Sequence, residues 1–298
     1  MRLAPLLLLA LLPLGACGSN REATTAAGQD PIQQLDARAA EASLSVERSE
    51  IAITQYRRAF ERARARDDAA AIGDYGYDLA VAQLVANEPR QALASLRMTR
   101  TELARRRAPS FPALDLTEAT AHYRLGDKRE SDRLAAEAAS GGDAAIAAQA
   151  IFLRGLIADE LGDAAGLSDA ISGLKQPTSD DQRADLAELS ARRDLRQGEF
   201  GAASAEAERA ADLRRGIQDY RGMARALSVA GDAEARAGDA RAAAAFYMRA
   251  GQSAAAFGDP QSARAWLRRS LQLGSDSNLR ETARSALASL EKPPDRHP

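Results

Sequence analysis

Cysteine and tryptophan each occur once and histidine twice in 298 residues, and aromatic residues make up only 4% of the chain. A single thiol forms no intrachain disulfide, so no covalent staple holds the fold in any redox compartment. His122 and His297 stand far apart without the usual ligand spacing of a metal site, and neither a metal nor another cofactor is expected. Few aromatic and β-branched residues means little of the composition that half-buried strands require. Lysine is confined to Lys128, Lys175 and Lys292, so nearly every positive charge is an arginine, suited to planar bidentate pairing. The 40 basic and 42 acidic residues leave a formal net charge of -2, without the basic footprint of a nucleic-acid binder. What is abundant is alanine, leucine, arginine and glutamate, the strong helix formers. The expected fold class is all-α.

Long apolar runs are also scarce. Residues 3–14 follow Arg2 and are interrupted by Pro5 and Pro13. A bilayer span takes roughly 20 residues, so this run is too short to be one and fits a secretory signal. It ends in Leu14-Gly15-Ala16-Cys17, which puts the one thiol of the chain directly after small residues. This boundary resembles the lipobox of bacterial lipoproteins. The resemblance implies that residues 1–16 are removed and that Cys17 is acylated and serves as a membrane anchor. Gly18 and Ser19 stand where an aspartate would signal inner-membrane retention, which implies the periplasmic face of the outer membrane. Residues 18–30, GSNREATTAAGQD, are small and polar without periodicity and are expected to form a flexible tether together with Cys17.

From residue 31 to 291 alanine-rich helical periodicity alternates with a two-residue punctuation. Gly126-Asp127, Gly162-Asp163, Gly238-Asp239 and Gly258-Asp259 each separate two helical patterns. Glycine takes the left-handed conformation that ends a helix, and aspartate caps the first amides of the next. Asn87 and Gly198 occupy equivalent places. Most intervals between these turns lie near the mid-thirties to forty residues of helix-turn-helix repeats. Residues 31–66 are expected to supply one or two leading helices, 277–291 a closing helix and 292–298 a disordered tail.

Gly231 lies seven residues before Gly238 and is followed by Ala243, Tyr247 and Ala250; Gly251 lies seven before Gly258, followed by Ala263, Leu267 and Ser270. Gly155 stands seven before Gly162, with Ala119 and Ala191 at the matching places before Gly126 and Gly198. In these residues the chain resembles the tetratricopeptide repeat (TPR) family over about residues 69–273. Because the turns at 238 and 258 are twenty residues apart, residues 240–257 are expected to act as second helix of one unit and first helix of the next.

The resemblance implies a TPR-like α-solenoid whose first helices line a concave surface that binds segments of other proteins. Groove-facing positions carried over from the family are Tyr77, Tyr123, Arg124, Phe152, Asp159, Glu160, Arg192, Arg196, Arg225 and Arg236. Aromatics toward one end and arginines toward the other would suit an acidic, partly apolar peptide. With asparagine only at 20, 87 and 278, the family's clamp for a C-terminal carboxylate is not expected.

Neither a nucleophile-base constellation nor a phosphate-binding glycine loop is present, so no catalytic residue and no small-molecule substrate are assigned. The arginine pairs 57–58, 192–193, 214–215 and 268–269 and the triplet 105–107 read as solvated helix faces interspersed with acids, with a stripe for an anionic partner such as lipid headgroups or an acidic protein as the alternative, and the acids Asp159-Glu160 and Asp180-Asp181 read as solvated faces or caps. The function expected is a non-catalytic scaffold for other envelope proteins, in β-barrel, pilus, secretin or cell-wall machinery. A cell-wall enzyme or its integral subunit, and a soluble cytosolic repeat adaptor, are the alternatives.

Overall fold

A computed structural model describes residues 49–291; Leu14, Gly15, Ala16, Cys17 and the tether lie outside the described residues, as do 31–48 of the leading segment and the 292–298 tail. The described residues form thirteen helices and no strand: α1 Ser49–Ala65, α2 Ala69–Val85, α3 Pro89–Arg105, α4 Pro112–Arg124, α5 Lys128–Ala139, α6 Ala144–Leu161, α7 Ala164–Gly173, α8 Asp180–Gln197, α9 Phe200–Gly216, α10 Tyr220–Ala237, α11 Ala240–Ala256, α12 Pro260–Leu273 and α13 Ser277–Glu291. Each packs on its neighbours in sequence. Beyond those contacts α2 meets α4, α4 meets α6, α6 meets α8 and α8 meets α10, so alternate helices form one continuous layer. The chain is an all-α solenoid of helix pairs in which the even-numbered helices lie inside.

The turns follow from backbone chemistry. Asn87, Gly126, Gly162, Gly198, Gly238 and Gly258, the six positions legible as turns, all have positive φ, between 61° and 91°. Asp67, Arg107, Gly142 and Gln218 do the same at four further joints. The joint between α7 and α8 instead uses the loop 174–179, whose Ser179 caps α8 through the Gln182 amide. Asp68, Asp127, Asp143, Asp163, Asp219, Asp239 and Asp259 each precede a helix and accept from its first-turn amides. A left-handed residue followed by a capping aspartate thus reverses the chain in two residues.

Close approach between helices is made by small side chains. A Cβ added at Gly155 would lie 2.5 Å from Leu189, at Gly231 3.0 Å from Tyr247 and at Gly251 2.6 Å from Leu267. The apolar interior is divided into eight clusters along the axis, from Tyr56 and Leu79 at one end to Met248 and Leu267 at the other. One expectation is corrected. Helix α11 packs about equally on α10 and α12, but it is the outer helix of its pair only. The turn at Gly258 joins two pairs, and α12 begins the last pair, with its own Ser262 and Trp266 facing the lumen.

Candidate functional site

The inner helices enclose a lumenal cavity of about 600 Å³. One wall comes from α2, α4 and α6, the other from α10, α12 and the turn between α11 and α12. Residues nearly two hundred positions apart, such as Tyr77 and Trp266, therefore line the same space. Of the ten residues proposed for a groove, Tyr77, Tyr123, Arg124, Phe152, Glu160 and Arg225 line this cavity. Tyr77 meets Phe111 edge-on with ring centroids 6.3 Å apart. The Tyr123 hydroxyl donates to Glu160 Oε1 at 2.5 Å, and Lys128 Nζ lies 2.8 Å from the other Glu160 oxygen. Burial, and then Glu160, push the Tyr123 hydroxyl well above the usual phenol range.

Asp159, Arg192, Arg196 and Arg236 sit instead in the seams between neighbouring inner helices. Arg192 Nη1 donates to Asp159 at 2.9 Å and Nη2 to Glu188 at 3.0 Å; Arg196 also bonds Asp159, through its carboxylate and its carbonyl. Glu188, fully buried, receives two bonds from Arg225, at 2.6 and 2.8 Å. Burial alone would raise the Glu188 carboxyl, but Arg225 and Arg192 outweigh it and hold the group down at about 2. Phe152 is flanked by two guanidiniums, Arg214 at 5.4 Å and Arg225 at 5.2 Å from the ring centroid.

A recurrent device ties the inner layer together. Arg124 in the last turn of α4 donates to the Leu84 carbonyl at the end of α2. Arg196 of α8 reaches the Asp159 carbonyl of α6, and Arg236 of α10 the Leu195 carbonyl of α8. The last carbonyls of a helix have no intrahelical donor and carry the negative end of its dipole, so a cation suits them. Three of the arginines assigned to partner contact thus latch one inner helix to the preceding one.

The solvated reading of the arginine pairs and acids needs correction as well. Arg57, Arg58, Arg105, Arg107, Arg215, Arg268 and Arg269 are exposed, but Arg214 is only 4% exposed, bonded to Asp185 and, at 2.5 Å, to Asp181. Arg106 bridges Glu102 at 2.6 Å and Asp67 at 2.7 Å. Partners 29 to 42 residues away, in the adjacent unit, account for these inward arginines. His122 is half-buried, its Nδ1 3.3 Å from the capping Asp127. Among the described residues no group of three His, Cys, Asp or Glu is placed to share a metal ion, and no helix is long and apolar enough to cross a membrane.

No family model and no curated protein matches the chain. Among solved structures it is similar to a tetratricopeptide repeat protein from Parabacteroides merdae, at 12% identity and a TM-score of 0.50, with 88% of this chain and 100% of that one covered. It also aligns with a chain of the APC/C hetero-tetramer Cut9-Hcn1, at 12% identity and a TM-score of 0.49, over 87% of this chain and 52% of that one. Identity at this level speaks to the fold alone, and the fold is a solenoid of TPR-like helix pairs.

Proposed function

We propose that this chain is a non-catalytic scaffold of the bacterial envelope, held through acylated Cys17 at the periplasmic face of the outer membrane and presenting the inner surface of its solenoid to a segment of another envelope protein. The observation that carries the reading is the inner layer, continuous from α2 to α10 with α12 lining the same lumen, which leaves Tyr77, Tyr123 and Phe152 half-buried on a concave wall instead of closing them in a core. The boundary Leu14-Gly15-Ala16-Cys17 supports the anchor, since three acyl chains on a cysteine would make release negligible where one would not. Tethering a repeat scaffold in this way would confine it to partners on the same membrane face.

Two experiments test the two halves separately. Replacement of Cys17 by serine should leave a larger, unprocessed form that is not labelled by radioactive palmitate; normal processing and membrane retention of that variant would rule out the anchor. A photo-crosslinking residue at Tyr77 or Phe152 should capture the same envelope protein in intact cells, and one at Arg133 on the outer helix α5 should not. Equal capture from both faces, or capture of cytosolic proteins, would remove the scaffold reading.

A further inference from the structure

The lumenal cavity carries positive charge that its own side chains leave unpaired. Arg124 and Arg221 both line it. Arg124 is bonded to the Leu84 carbonyl, and the Arg221 guanidinium lies over the Phe257 ring at 4.5 Å; among the described residues neither forms an ion pair. Asp259, the carboxylate closest in effect to Arg124, is occupied with capping α12, where it accepts from the Ser262 amide at 3.0 Å. Arg225 completes the cationic side, but its guanidinium is already matched by Glu188. Burial lowers Arg124 to about 9, with repulsion from Arg221 and Arg225 adding to the effect, and Arg221 is lowered for the same first reason. Both remain cations at neutral pH, and a half-buried cation without a carboxylate partner is an unfavourable arrangement that an anion would relieve.

Beside this charge much of the wall is apolar. Val81 and Leu84 of α2, Leu116 of α4 and Ile146, Leu153 and Leu156 of α6 form it, with Arg124 and Glu160 at the last turns of α4 and α6. A volume of about 600 Å³ lies in the range of small-molecule sites, roughly 300–1,000 Å³.

From the unpaired arginines beside an apolar wall we infer that the lumen binds a small anionic amphiphile, an unbranched acyl chain bearing a carboxylate. The carboxylate sits between Arg124 and Arg221, and the chain lies along Val81, Leu116, Ile146 and Leu153. The ligand would occupy the same lumenal surface that the scaffold reading offers to a protein segment, since Tyr77, Tyr123 and Phe152 line the same cavity, but it does not require that reading.

Trp266, the only tryptophan, lines the cavity and reports on it directly. Titration of the full chain carrying Cys17→Ser with sodium dodecanoate should change Trp266 emission saturably with one ligand per chain. Decanoate, two methylenes shorter, should bind about fifteenfold more weakly, following roughly fourfold per buried methylene. Dodecanol, which lacks the charge, should bind at least tenfold more weakly than dodecanoate. Arg221→Met should cost tenfold or more in dodecanoate affinity, and Arg133→Met, on the outer face, should cost nothing. Arg124→Met should weaken binding similarly, but it also cuts the latch to α2; Arg221→Met, outside that latch, decides the matter if the first variant misfolds. Absence of saturable binding, equal affinity for dodecanol, or an Arg221→Met chain that binds as the parent does would each overturn the inference. A leucine-rich acidic peptide that moves Trp266 emission where dodecanoate does not would assign the lumen to a protein partner instead.

Discussion

Glu188 shows how much one buried side chain can hold. Its carboxylate ties α8 to α10 through Arg225 and bonds Arg192 on its own helix, and it stays ionised far below the ordinary glutamate value of 4.5. A folded-state value of about 2 means that the unfolded chain binds this proton more readily. Its contribution is therefore fully present above pH 4.5 and lost as pH falls toward 2, on the order of 3 kcal/mol in total. Urea denaturation between pH 6 and 3 should show a steeper loss of stability for the parent than for Glu188→Gln; parallel profiles would mean that the carboxylate is not held as the geometry implies. Gly251 is the steric counterpart. A Cβ there would fall 2.6 Å from Leu267 Cγ and 3.2 Å from the Ala263 carbonyl, so Gly251→Leu should destabilise by about 1 to 3 kcal/mol or more in the same assay.

At the scale of the element, much of the architecture was legible because turns have local chemistry. Six left-handed positions could be read from glycine or asparagine, and the closing helix begins and ends where periodicity put it, at Ser277–Glu291. Asp67, Arg107 and Gln218 were not legible, since nothing in an aspartate, arginine or glutamine announces positive φ. They adopt it because helices packed on both sides fix where the chain must turn, at a cost of about 1 to 2 kcal/mol that glycine avoids. Gln218→Gly should therefore stabilise the chain, by about 0.5 to 1 kcal/mol after the added freedom of the unfolded state is subtracted, and Gly258→Ala should cost about 1 kcal/mol. Thermal unfolding of both variants checks the signs. The candidate site was less legible than the turns. Its arginines find their acids and carbonyls one unit away, and because spacing between units varies, sequence alone does not say which residues meet. Gly76 was missed for a related reason: it abuts Thr99 on α3, a pairing outside the seven-residue spacing before the turns.

For the molecule as a whole, eight clusters strung along the axis replace a single core, and each helix touches mainly its neighbours. Damage should accordingly stay local. In Gly251→Leu, amide exchange is expected to accelerate in α10 to α13 while α2 and α3 keep their protection; uniform acceleration would mean that the pairs unfold as one unit. The cavity departs from this nearest-neighbour rule, because α2 and α12 share it without packing on each other. A ligand bound there would couple the two ends, and exchange in both should slow together when dodecanoate is added.

Neighbour-only packing also has a mechanical consequence. Loaded from its two ends, a globular core resists as one body and gives way once, but this chain is a series of similar links. Pairs such as α8–α9 and α10–α11 share apolar clusters that cross the joint between them, but no cluster runs the length of the solenoid. Pulled between residues 49 and 291 in an optical trap, the protein should lengthen in steps, each pair of about 40 residues releasing roughly 140 Å of chain. Inner latches such as Arg124 to Leu84 act as stops on the first small extension, and their loss should soften the spring before any pair opens. If the chain is anchored as proposed, it would yield to strain between the membrane and a bound segment by degrees, retaining the units that had not yet been drawn out.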